Sequence, residues 1–311
     1  MTVDVLREKY AGYISVVETG KTKENGGSRD RVLKMGGQTA MPYLFGEGDM
    51  PNRPLMAMEI LDCKPTDWPE GLVQALGAEA DDPLAWGKKC VSEYKADALC
   101  VRLQSAHPDS GNAKVEDTTA FLKKLSAEVA VPLIILGSGD DEKDRALMPE
   151  VSHELKNENC LLGVATQENY KTLTASCLAD NHAIIAESPI DINIAKQVNI
   201  LITDMGFDKK RIVMHPTTAS LGYGMEYVYS IMERARLAAF GGDWALAMPM
   251  ILFVGQEAWR VKESKESTPV GVSWEIATAA AMLQSGVDLI VLRHPESAVQ
   301  VKHFIEKDLK K

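Results

Sequence analysis

Eight short apolar runs, each followed by a helical pattern, constrain this 311-residue chain more than any other feature. The first four are Leu55-Met56-Ala57-Met58-Glu59-Ile60, Ala98-Leu99-Cys100-Val101-Arg102-Leu103, Leu133-Ile134-Ile135-Leu136 and Leu161-Leu162-Gly163-Val164. The rest are Ala183-Ile184-Ile185-Ala186, Ile212-Val213-Met214, Met250-Ile251-Leu252-Phe253-Val254 and Leu289-Ile290-Val291-Leu292. Most are apolar throughout, the pattern of parallel strands covered on both faces. Helical stretches follow each. Asp82-Pro83 opens the first, residues 115–129 hold the second, Asp140-Asp141-Glu142 leads the third, and residues 170–178 form the fourth. Ser188-Pro189 reads as N-cap and first-turn proline of the fifth. The sixth follows Gly224, the seventh starts near Ser273-Trp274, and Pro295-Glu296 opens the last. Eight strand–helix units over about 250 residues predict an α/β fold, a TIM (β/α)8 barrel. An open doubly wound sheet is the rival, but the G-x-G-x-x-G turn that would favour it is missing after the first strand.

Residues 1–53 differ from the repeat. Tyr13-Ile14-Ser15-Val16-Val17 and Arg31-Val32-Leu33-Lys34-Met35 are strand-like, and Asn25-Gly26-Gly27 between them suits a hairpin turn. The chain therefore divides into an N-terminal extension, residues 1–53, and a barrel, residues 54–311. A formal net charge of −10 argues against nucleic acid as the partner. The start, Met1-Thr2-Val3-Asp4-Val5-Leu6-Arg7, lacks the basic and apolar regions of a secretory leader, and no apolar stretch approaches the roughly 18 residues of a membrane span. A cytoplasmic protein is expected. Cys63, Cys90, Cys100, Cys160 and Cys177 show no C-x-x-C spacing, so no local zinc or iron–sulfur ligand set can be drawn, and buried reduced thiols are expected.

In a barrel, function gathers at the C-terminal ends of the strands. The polar residues there are Glu59, Asp62, Gln104, Ser138, Thr166-Gln167-Glu168-Asn169, Glu187-Ser188, His215, Thr217-Thr218, Gln256 and Arg293-His294. Glu187 is either a general acid or base, or an ion-pair partner within the mouth. Arg293-His294 either binds an anion or pairs with a neighbouring carboxylate. Asp140, Asp141, Glu142 and Asp144 could be a cation site, but acids in a first turn favour the helix dipole without a metal. The six histidines show no H-x-x-x-H pair and G-x-S-x-G is absent, so neither a helical metal pair nor a nucleophile elbow is supported. Residues 255–272 form a long connection with a polar stretch at 262–269, read as a lid or docking surface. The stretch Met214-His215-Pro216-Thr217-Thr218-Ala219-Ser220-Leu221-Gly222-Tyr223-Gly224 joins the sixth strand to its helix with small residues and unpaired N–H groups, which suits close approach by a bulky, acceptor-rich ligand.

Several stretches in order, Asn52-Arg53-Pro54, Asp67-Trp68-Pro69, Thr166-Gln167-Glu168-Asn169-Tyr170-Lys171, Ser188-Pro189-Ile190-Asp191-Ile192-Asn193-Ile194, Leu221-Gly222-Tyr223-Gly224 and Leu292-Arg293-His294-Pro295, resemble the small subunit of the corrinoid/iron–sulfur protein of the anaerobic acetyl-CoA pathway. The resemblance covers nearly the whole chain. It implies a TIM barrel paired with a larger subunit that carries the [4Fe-4S] cluster and the main cobalamin-binding domain. It further implies that cobalamin lies between that domain and this barrel, and that methyl groups pass from methyltetrahydrofolate, through a methyltransferase, to acetyl-CoA synthase. The chain would perform no bond chemistry alone. The expected corrinoid-facing set is Thr217, Thr218, Ser220, Leu221, Gly222, Tyr223, Gly224, Glu187, Gln256, Arg293 and His294. The D-x-H-x-x-G corrinoid motif is absent, since Asp180-Asn181-His182 continues as Ala183-Ile184-Ile185, so no cobalt ligand or other metal ligand is assigned. One departure is His215 before Pro216, where the family often carries an acidic residue. Two enzyme alternatives stand beside this reading. One is a pterin-dependent methyltransferase with a related barrel, for which Asp191, Asn193 and Asn199 are the candidate ring-binding groups. The other is a barrel acting on a small anion through Arg293 and the Gly222 region.

Overall fold

The computed structural model describes residues 8–44 and 46–309; Met1 to Arg7, on which the reading of the N-terminus rests, lie outside the described residues. Two short strands, β1 (Val17–Thr19) and β2 (Leu33–Met35), pair antiparallel. Eight more strands follow: β3 (Leu55–Leu61), β4 (Ala98–Arg102), β5 (Leu133–Leu136), β6 (Leu161–Ala165), β7 (Ala183–Glu187), β8 (Ile212–His215), β9 (Ile251–Leu252) and β10 (Leu289–Leu292). They form one parallel sheet in the order β8-β7-β6-β5-β4-β3-β10-β9. A parallel bridge between Met214 and Met250, with the Met214 amide donating to the Pro249 carbonyl at 2.8 Å, joins the two edges. The result is the eight-stranded parallel α/β barrel.

The helices are α1 (Glu70–Leu76), α2 (Pro83–Ser92), α3 (Val115–Glu128), α4 (Asp141–Glu154), α5 (Tyr170–Asp180), α6 (Ile192–Asp204), α7 (Met225–Phe240), α8 (Val254–Ala258), α9 (Lys262–Glu266), α10 (Thr268–Gln284) and α11 (Pro295–His303). Four details differ from the sequence expectations. Helix α1, in the first unit, is additional. Helix α6 is capped by Asp191, whose carboxylate accepts from Asn193 N at 2.7 Å and Ile194 N at 3.1 Å. Ser188 instead donates its amide to the His215 carbonyl at 3.0 Å and so continues the β7–β8 ladder. Strand β9 stops at Leu252 because the Phe253 amide turns away to donate to Thr218 Oγ1 at 2.9 Å. The connection at 255–272 is not an open loop: α8, α9 and the start of α10 fill it, folded over Trp259, which is buried and donates from its indole N–H to Glu275 at 2.9 Å. Helix α10 accordingly begins at Thr268, with Pro269 in its first turn, five residues before Ser273.

Strand side chains alternate between the two sides of the sheet, and the packing follows that period. Leu99 and Val101 of β4, Leu133 and Ile135 of β5, and Ile290 and Leu292 of β10 pack outward among the helices. Ala98, Cys100, Ile134, Leu136, Leu289 and Val291 pack inward. Val17, Leu33 and Met35 of the N-terminal hairpin join the inward cluster, so the extension packs against the interior of the barrel. Asp288 ties it there: its carboxylate accepts from Gly36 N at 3.1 Å, Gln38 Nε2 at 2.6 Å and Met250 N at 2.7 Å, and pairs with Arg236. Arg29, fully buried, bonds Glu158 at 2.7 Å and the carbonyls of Ser126 and Val129 at 2.6 Å each, satisfying the C-terminal end of α3.

Candidate functional site

Inward parity carried one step past the apolar layers delivers polar residues to the C-terminal mouth. After Ala57 comes Glu59; after Cys100, Arg102; after Ile185, Glu187; after Val213, His215; after Val291, Arg293. Glu59 is completely buried and holds two guanidinium groups, Arg293 Nε at 2.6 Å and Arg102 Nε at 2.8 Å. Burial pushes the Glu59 carboxyl up, but Arg293 and Arg102 outweigh it and bring it down to about 2. Arg102 also donates to Gln256 Oε1 at 2.7 Å, and the Arg293 guanidinium stacks 4.3 Å from the Trp68 ring centre.

Beside this network, His215 Nδ1 lies 2.7 Å from Glu187 Oε2, and its Nε2 lies 3.1 Å from Thr218 Oγ1. The Phe253 ring meets His215 edge-on at 4.7 Å. Burial raises the Glu187 carboxyl, and the hydrogen bond from His215, with the charges of His215 and Arg102, carries it below its ordinary value. Glu187 is thus hydrogen-bonded to His215 within the mouth.

The connection after β8 divides into an inner and an outer part. Thr217 sits at φ 64°, in the left-handed region that a β-branched residue seldom adopts, and its hydroxyl donates to the Ser188 carbonyl at 2.6 Å. Thr218 and Ser220 are buried. From Leu221 the chain reaches the rim: the Leu221 amide donates to Thr278 Oγ1 at 3.1 Å and its carbonyl accepts from the Trp274 indole at 2.9 Å. Gly222, at φ 76°, has nothing within 4 Å of where a Cβ would stand. Tyr223 is 53% exposed, bonded through its hydroxyl to Glu263 of α9 at 2.8 Å, and Gly224 precedes α7 without a side-chain cap. Tyr227, in the first turn of α7, is 64% exposed. Residues 221–224 thus form an open, aromatic-flanked rim, while the Thr217 and Thr218 hydroxyls are engaged within the protein.

A cavity of about 310 Å3 lies in the mouth, reached by Arg102, Glu187, His215, Phe253 and Gln256 from one side. Residues from the starts of α4 and α5, including Asp141, Asp144 and Asn169, line the other. The sequence singled out Glu187, Gln256 and His215; Arg102 was missed within an apolar run, although it shares the parity of Ala98 and Cys100. Asp141 and Asp144 are not a cation cluster. Asp144 accepts from Ser138 N at 2.8 Å and Gly139 N at 3.1 Å, Asp141 accepts from Asn169 at 3.1 Å, and Asp140 caps α4. Among the described residues no group of three or more His, Cys, Asp or Glu is arranged to hold a metal ion.

Arg293 and His294 are brought to the same end but lie outside the cavity lining. Arg293 is on Glu59; His294 caps α11 by accepting from Glu296 N at 3.1 Å and stacks on Trp259 at 5.5 Å. The small-anion alternative loses its cation to Glu59. The pterin candidates are dispersed as well: Asp191 and Asn193 belong to the cap of α6, and Asn199 is buried, donating to the Ala245 carbonyl at 2.8 Å. His182 is buried, accepting from Cys160 N at 3.1 Å and facing the Ser152 carbonyl at 2.9 Å, a structural role. Cys90, Cys100, Cys160 and Cys177 are buried and Cys63 half-buried, and burial pushes each thiol up. No helix among the described residues is long and apolar enough to cross a membrane.

These features define an eight-stranded α/β barrel with a polar mouth, and its fold is shared with dihydropteroate synthases. The enzyme of Vibrio fischeri superposes with a TM-score of 0.60 at 12% identity, covering 85% of this chain and 96% of that one. That of Yersinia pestis gives 0.56 at 12% identity, with 87% and 98% covered. Sequence similarity is more specific. Residues 20–303 match the CO dehydrogenase/acetyl-CoA synthase delta subunit family, and the chain belongs to it. The acetyl-CoA decarbonylase/synthase complex subunits delta of Methanopyrus kandleri and Methanocaldococcus jannaschii are each 34% identical, over 93% and 96% of this chain and 74% of each relative.

Proposed function

We propose that this subunit is a cytoplasmic, non-catalytic wall for a corrinoid held mainly by a larger subunit. On this reading the barrel mouth and its rim face the macrocycle and help dock the methyltetrahydrofolate methyltransferase and acetyl-CoA synthase. The [4Fe-4S] cluster belongs to the larger subunit. The corrinoid, when bound, supplies the cobalt that carries a methyl group; this chain's residues shape and shield the space around it.

One observation carries the reading: the rim at 221–224 is open and small beside exposed Tyr223 and Tyr227, at the same end of the barrel as a cavity of only about 310 Å3. Small-molecule pockets span roughly 300–1,000 Å3, so a macrocycle with amide arms could lie across this mouth but not enter it. Residues with no Cβ, or with flat faces, allow that approach. The test is co-expression with the large corrinoid/iron–sulfur subunit, comparing Gly222→Trp with Gly222→Ala. Both variants share the backbone strain of a side chain at positive φ, so only bulk separates them. The tryptophan variant should lose corrinoid absorbance during purification while the alanine variant keeps it. Equal retention in both, or a chain that never joins the large subunit, would overturn the proposal.

A further inference from the structure

We infer that the N-terminal end of the barrel, opposite the mouth, carries a second binding site, which takes a small phosphate-bearing molecule. A cavity of about 640 Å3 lies there, within the roughly 300–1,000 Å3 of small-molecule pockets. One wall is the N-terminal hairpin, with Tyr13, Glu18 and Lys21. The other is formed by the segments that lead into β6, β7 and β8, with Asn159, Lys210 and Arg211 among them. The walls are pinned together where Gly20 N donates to the Asn159 carbonyl at 2.8 Å and Asn159 Nδ2 donates to the Glu18 carbonyl at 3.0 Å. The mouth lies at the other ends of these same strands, so the site is separate from it and does not rest on the corrinoid reading.

Charge names the ligand class. The chain carries a formal net charge of −10, yet three cations, Lys21, Lys210 and Arg211, line this cavity. Among the described residues none of the three is paired with a carboxylate. Glu18, the carboxylate of the lining, pairs with Lys34 at 2.8 Å, and Asp208 turns its carboxylate to the Lys210 amide at 2.9 Å. Arg211 stacks 4.7 Å from the Phe207 ring centre and gives Nη2 to the carbonyls of Cys177 and His182. Its Nε and Nη1 have no partner among the described residues. Burial draws the Arg211 guanidinium below its ordinary value, and neither Cys177 nor Asp208 makes this up, the mark of a cation that lacks a counter-ion. A guanidinium fork beside two ammonium groups suits the several oxygens of a phosphate chain. Tyr13, 59% exposed on the same lining, offers a flat face to any ring carried with the phosphates.

The experiment is titration calorimetry of the full chain, without divalent ions, against sodium tripolyphosphate and, separately, ATP. Three variants accompany it. Lys21→Ala and Lys210→Ala each remove one cation of the cavity. Lys123→Ala removes the same charge from α3, outside the cavity, where it meets Glu154 at 3.0 Å. Saturable one-to-one binding of at least one probe is expected, weakened about tenfold or more in each cavity variant, the scale of one lost hydrogen bond to a charged group, and unchanged in Lys123→Ala. Tripolyphosphate binding as tightly as ATP or more so assigns the phosphate chain alone, and tighter ATP binding adds a ring contact; either supports the site. If Lys21→Ala proves unfolded by circular dichroism, Lys210→Ala, at an exposed side chain, decides. Failure of both probes to bind, native-like binding in the folded cavity variants, or equal weakening in Lys123→Ala would overturn the inference, and none of these results bears on corrinoid retention.

Discussion

Replacing Glu59 by glutamine removes the anion beneath the mouth, and its cost can be worked from the structure. Glu59 is fully buried, 2.6 Å from Arg293 Nε and 2.8 Å from Arg102 Nε, and its carboxyl falls from 4.5 to about 2. A folded value below the unfolded one means stability that is present above about pH 4.5 and is lost as pH falls through about 2. A difference of 4.5 − 2, at about 1.4 kcal/mol per unit, gives about 3–4 kcal/mol. Breaking a buried pair by deleting one partner independently costs roughly 3–5 kcal/mol. The lower end applies, because the Arg102 side chain keeps 20% exposure and can recover water through the mouth. Urea unfolding of native and Glu59→Gln chains across pH 2 to 7 is the assay. The gap between them should be about 3 kcal/mol at pH 7 and close toward pH 2, where native Glu59 is itself protonating. A gap below about 1 kcal/mol at pH 7, or one that does not change with pH, would refute the electrostatic argument.

Two further outcomes follow from the same contacts. Arg29→Ala should destabilise the chain by about 3 kcal/mol, since it strands Glu158 and the end of α3, with hydrogen exchange rising first around residues 17–35 and 126–131; differential exchange by mass spectrometry checks this. Thr218→Val should cost about 1–3 kcal/mol by leaving the Phe253 amide without its acceptor, and it should free one side of the His215 ring, seen as changed imidazole ring chemical shifts by NMR.

Much of this site was legible before any coordinate. Glu59, Glu187, His215 and Arg293 each continue the inward parity of a strand and end it, so the barrel rule alone places them at the mouth. Arg102 obeys the same rule and was passed over because it closes a run of apolar residues. What could not be read was direction decided by distant contacts. Ser188-Pro189 and Asp191 offer competing helix starts three residues apart, and the ladder bond from Ser188 to His215 settles the choice. The hydroxyls of Thr217 and Thr218 face inward because Ser188 and Phe253, far along the chain, receive or supply their hydrogen bonds. The polar stretch at 262–269 looks like open loop by composition, but its ordering comes from burial of Trp259 against Glu275.

The claim that the mouth faces a corrinoid held by another subunit is tested most directly by hydrogen exchange of this chain, free and in complex with the corrinoid-loaded large subunit. Protection is expected at residues 221–227 on the rim and not in the hairpin at residues 17–35. Protection confined to the hairpin end, with an unchanged rim, would contradict the account.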